Sequence, residues 1–159
     1  MAANEALIAY LNDHLGGSVA ALELIDHQLK MERSRDANEF YTTLHRDIEQ
    51  DQQVLVDVIR RAGGEPSQMR RIGGWLAEKL GRLKLALDEA SSGSIEHFEA
   101  LEVLVLGIHG KRALWRALET AALPALSAFR FDQLGQRADD QIQRVEHRRL
   151  DAARQALSA

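Results

Sequence analysis

At 159 residues the chain has the length of one domain, enough to bury roughly 70% of its unfolded surface without a staple, and its lack of cysteine excludes disulfides, thiolate metal sites and cysteine nucleophiles. A formal net charge of −4 and a pI near 5.9 offer no general attraction to phosphate backbones, so no nucleic-acid partner is expected. The opening Met1-Ala2-Ala3-Asn4-Glu5 has neither region of a signal peptide, and the longest apolar run, Val103-Leu104-Val105-Leu106-Gly107-Ile108, is far too short to span a bilayer, so a cytoplasmic protein is expected.

From about residue 4 to 31, Leu11, Leu15, Ser18, Leu22, Ile25 and Leu29 recur at spacings of three and four, the stripe of a helix packed in a bundle. The polar stretch Glu32-Arg33-Ser34-Arg35-Asp36 predicts a turn. Tyr41, Leu44, Ile48, Asp51, Leu55, Val58 and Ala62 then repeat the spacing up to a Gly63-Gly64 stop, which predicts a second helix antiparallel to the first. Pro66 and Ser67 can start another helix, at about 66–90, whose stripe is Ile72, Leu76, Leu80, Leu83 and Leu87. We read it as an amphipathic crossover. Ser91-Ser92-Gly93-Ser94 ends it. A long apolar helix follows to about 122, with Phe98, Leu101, Val105, Ile108, Trp115 and Leu118 inward and Pro124 closing it. A last helix opens near Asp132 and carries Leu134, Ala138, Gln141, Val145, Ala152 and Ala156 on one face.

No strand signal or internal repeat interrupts this pattern, so the fold class is all-α over a single domain, 1–159. Two antiparallel helical hairpins joined by one long connection make a four-helix bundle with a crossover helix. The same periodicities also permit five helices in irregular orthogonal packing.

The segment Leu11-Asn12-Asp13-His14-Leu15-Gly16-Gly17-Ser18-Val19-Ala20-Ala21-Leu22 resembles the first helix of bacterioferritins and related ferritin-like proteins. The Gly63-Gly64-Glu65-Pro66 ending and the two long C-terminal helices are similar to that superfamily in order and length. The resemblance implies a ferritin-like bundle. It also implies a ligand layer with a carboxylate on each of two helices and a Glu-x-x-His pair on each of the other two. Those positions fall on Ser18, on Glu49-Gln50-Asp51-Gln52 or Ile48 with Asp51, beside Gly107 with His109 the nearest polar group, and near Ala138 and Gln141. Most of the di-iron ligand set is therefore replaced, and oxidase or iron-storage chemistry is not expected.

Ser18, Asp51 and Gln141 interrupt three inward stripes and should form one polar layer, with His109 facing it. Such a layer either fixes helix register or receives a small polar ligand. The remaining histidines are scattered, Glu23 with His27 and His45 with Glu49 sharing only an i,i+4 helix face. The expected function is that of a non-enzymatic, metal-free bacterial protein acting through binding or assembly, as a homodimer without a cofactor. One alternative is a degenerate metalloprotein holding a single divalent metal ion on Asp51, His109 and His14 or Glu49. Another is a peripheral membrane or stress-associated protein. It would dock on a membrane surface through the crossover helix, which carries Arg70, Arg71, Lys79, Arg82 and Lys84 beside Trp75.

Overall fold

The computed structural model describes residues 2–31, 34–67, 78, 81–82 and 93–158. Four long helices account for most of them: α1 (Ala2–Met31), α2 (Arg35–Arg61), α3 (Ser94–Ala121) and α4 (Phe131–Leu157), with a 3-10 turn at Pro124–Leu126 before the last. No strand occurs among the described residues, and no described helix is long and apolar enough to cross a membrane. The expected crossover helix lies almost wholly outside the described residues.

Local chemistry sets the helix ends. Ser34 is extended, and its Oγ accepts the Ala37 N–H at 3.1 Å, capping α2, while Asp36 sits in the first turn, where the helix dipole favours an anion. At the other end of α2, Gly63 adopts φ +84°, and a Cβ on Gly64 would stand 2.7 Å from Ile8 Cγ2, so both glycines of the stop are required. Asn12 then holds the departing chain against α1, accepting the Ser67 N–H at 2.7 Å and donating to the Glu65 carbonyl at 3.2 Å.

α3 ends differently. Ala122 takes the left-handed conformation, φ +45° and ψ +44°, which a Cβ makes costly. Ala122→Gly should therefore raise stability by about 1 kcal/mol, seen as a melting temperature higher by roughly 2–4 °C. An unchanged or lower melting temperature would show that the left-handed turn carries no strain.

The predicted stripes form the core. Leu11, Leu15 and Ile25 of α1, Tyr41, Leu44, Ile48, Leu55 and Val58 of α2, and Leu134, Ala138, Val145 and Ala152 of α4 are all buried. α3 contributes Leu101, Leu104, Ile108, Trp115 and Leu118, and packs most extensively on α4, as α1 does on α2. The helix directions follow from contacts at the ends. His97, near the start of α3, meets the Tyr41 ring of α2 at 6.2 Å between centroids and the Gln28 side chain of α1 at 3.0 Å. α2 and α3 therefore begin at the same end and run parallel.

α2 and α4 are antiparallel. Arg148 pairs with Asp36, Arg144 with Asp47 at 2.7 Å and Arg137 with Asp51 at 3.0 Å, an Asp–Arg ladder with acids on one helix and bases on the other. The chain between Ser67 and Gly93 thus joins opposite ends of a bundle about 40 Å long.

Candidate functional site: a lysine-centred polar layer

Midway along the bundle the apolar stripes of α2 and α4 are broken by Asp51 and Gln141, each 1% exposed. α3 places Lys111 between them. Three residues after Ile108 and four before Trp115, it occupies an inward position of its helix. Its Nζ lies 2.6 Å from Asp51 Oδ2 and also donates to Gln141 Oε1. Gln141 Nε2 closes the triangle by donating to the same Asp51 oxygen at 2.9 Å. The other oxygen, Oδ1, faces Arg137 Nη2 at 3.0 Å, an ion-pair contact outside hydrogen-bond alignment.

A buried carboxylate is tolerable only when paired and hydrogen-bonded, and Lys111 and Gln141 meet that requirement from two other helices. The ammonium is held below the ordinary lysine range. Burial is the larger cause, the Asp51 charge and hydrogen bond oppose it, and the Arg137 charge adds to the lowering.

Of the residues expected in the layer, Asp51 and Gln141 are in direct contact. Ser18 is half-buried and turned aside: its hydroxyl donates to the Leu15 carbonyl at 2.7 Å and accepts from Gln52 Nε2 at 2.9 Å. It borders the same cavity as Asp51 without bonding to it. His109, expected to face the layer, is instead exposed and lies near Glu146. Two helical residues before Lys111 means about 200° of rotation, so the turn that carries the lysine inward carries the histidine out.

The four residues of the single-metal alternative do not gather into one site, although Asp51 and His14 border the same cavity. Asp51 is buried, Glu49 and His109 are exposed, and His14 stands edge-on to Tyr10 with ring centroids 4.8 Å apart. No group of three or more His, Asp or Glu side chains placed to hold a metal ion occurs among the described residues. The layer itself does not suit a hard divalent cation, because its one carboxylate is already opposed by an ammonium and a guanidinium.

Lys111 and Arg137 are absent from the sequence-based set. The signal for Lys111 is the gap between Ile108 and Trp115: seven residues at the same helical phase require one more inward side chain between them.

Beside the layer, described residues of α1, α2 and α3 border a half-open cavity of about 550 Å³. Gly17, Gly107 and Gly110 line it, and a Cβ on any of them would have no neighbour within 4 Å. Small residues on facing helices thus leave a gap that side chains would otherwise fill. His14 also lines this cavity, and its burial holds the imidazole below the ordinary 6.5 against the opposing charge of Asp13.

The unfolded chain therefore takes up a proton on His14 where the folded chain does not, so this contribution is intact above 6.5 and is lost as pH falls below it. His14→Gln should flatten the melting temperature's dependence on pH in that acidic range. Parallel profiles for the two proteins would contradict the assignment.

Comparison of the chain with models of known protein families, with curated proteins and with solved structures gives no significant match.

Proposed function

We propose that this chain is a non-enzymatic, metal-free bundle of the ferritin-like kind, acting through binding or assembly. The observation that carries the reading is the Lys111 ammonium at the centre of the polar layer, 2.6 Å from its carboxylate. At the level where the ferritin-like resemblance expects carboxylates and imidazoles to gather around metal, this chain supplies its own cation. The layer then links α2, α3 and α4 through Asp51, Lys111 and Gln141 and holds them in one register.

Protein purified without chelators should contain less than a stoichiometric amount of iron or manganese and show no ferroxidase activity. Elemental analysis with an iron-oxidation assay checks this, and two irons per chain would overturn the reading. For assembly, the partner is a second copy of the chain. Light scattering should give the mass of a dimer, and a monomer at micromolar concentration would remove that half of the proposal.

A further inference from the structure

We propose that the half-open cavity bordered by α1, α2 and α3 binds an uncharged, mainly hydrocarbon small molecule, held by apolar contact rather than by a charged headgroup. The inference deepens the binding half of the reading above and rests on it, because Asp51 and Lys111 must stay paired with each other.

The cavity has a size typical of small-molecule sites. Leu104, Ile108 and Leu114 of α3, with Ile48 and Leu55 of α2, give it an apolar wall. Tyr10 and Leu106, 39% and 44% exposed, stand at its rim, so a guest can enter from solvent. Gly17 of α1 and Gly107 and Gly110 of α3 widen the space, since a Cβ on any of them would meet no atom within 4 Å. Glycine weakens a helix, and at these positions no close approach of another element requires it.

The polar side chains of the described lining are engaged elsewhere. Ser18 donates to the Leu15 carbonyl and accepts from Gln52 Nε2 at 2.9 Å, while Asp51 Oδ2 accepts from Lys111 Nζ at 2.6 Å and from Gln141 Nε2. A guest that needed strong hydrogen bonds would have to break these. Charge selects neither sign. Asp51 and Lys111 compensate each other, Asp13 on the exposed side of the lining disfavours an anion, and Lys111 disfavours a cation. His14 adds no opposing cation near neutral pH, because burial keeps its imidazole uncharged there. A charged group entering from water would therefore lose its hydration without finding a partner, whereas a hydrocarbon guest gains by leaving water.

The test is a fluorescence titration of the full chain with two probes that share one ring system: uncharged N-phenyl-1-naphthylamine and its sulfonated relative 8-anilino-1-naphthalenesulfonate. The uncharged probe should bind once per chain, about tenfold or more tightly than the sulfonate. Gly17→Leu with Gly110→Leu fills the cavity from positions where a Cβ meets open space, and should abolish that binding without lowering the melting temperature. Gly107→Leu, a single change at the exposed side of the lining, should weaken binding about tenfold and decides the matter if the pair fails to fold. Equal or tighter binding of the sulfonate, binding that survives these substitutions in folded protein, or no saturable binding would each overturn the proposal. Metal analysis of the same preparation separates the two readings: metal-free protein that ignores the uncharged probe defeats this inference alone, whereas stoichiometric iron defeats the reading beneath it.

Discussion

Asp51→Ala should lower the free energy of unfolding by about 3–5 kcal/mol, the usual cost of removing one partner from a buried ion pair. At this chain length that is a fall in melting temperature of about 10 °C. The loss would arise chiefly from what stays behind. Lys111 would keep only the Gln141 oxygen as acceptor, so its ammonium would remain buried without a counter-ion. Arg137, 41% exposed on its side chain, would turn to water at little cost.

Replacing both buried charges, as in Asp51→Leu with Lys111→Met, should recover most of the loss, because a well-packed apolar pair of similar volume does without the desolvation that the ions require. Chemical denaturation of the single and double variants gives both numbers. A single-variant loss below about 1 kcal/mol would show that Asp51 does not compensate Lys111.

The second large effect is expected at Trp115, which is fully buried and stacks on Phe131 with ring centroids 6.0 Å apart and planes at 22°. Trp115→Ala should cost about 3–5 kcal/mol, since it removes a large aromatic from the junction of α3 and α4 and merges the space with the neighbouring cavity. Trp115→Phe should cost under about 1.5 kcal/mol, because the lost contacts are offset by relief of the unpartnered indole N–H. Calorimetry on the two variants tests the pair of values. Equal losses would mean that the indole nitrogen, rather than ring volume, governs the site.

The architecture was legible wherever a local rule determines it. The three-and-four spacing of Leu11, Leu15 and Ile25, or of Tyr41, Leu44 and Ile48, depends only on helical geometry, and the Gly63-Gly64 stop on backbone conformation. Asp51 and Gln141 were visible for the same reason, as polar residues in phase with apolar ones. Lys111 was not. A lysine stem normally runs along the apolar edge with its head in water, so one beside Arg112 reads as surface, and the resemblance drew attention one turn earlier, to Gly107.

Ser18 shows the converse. Its phase is inward, but a serine hydroxyl can bond to a carbonyl of the preceding turn, and here it takes the Leu15 carbonyl and the Gln52 amide in place of the layer. The cavity lies beyond periodicity altogether, since it arises from glycines on different helices meeting across a gap.

The Asp–Arg ladder bears on how two separately formed hairpins find each other. Each hairpin is made of neighbours in sequence and closes quickly, whereas their docking must choose among alignments that differ by one helical turn and bury similar apolar area. A slip of α4 by one turn would bring Val145 opposite Asp51 in place of Gln141 and carry Arg137 away from it. That misdocked state would set Val145 where Gln141 now donates and leave at most the Gln141 amide in the place of the Arg137 charge, so it should be less stable than the native alignment. The polar layer thus favours one alignment of the hairpins over those that hydrophobic contact alone would accept as equals.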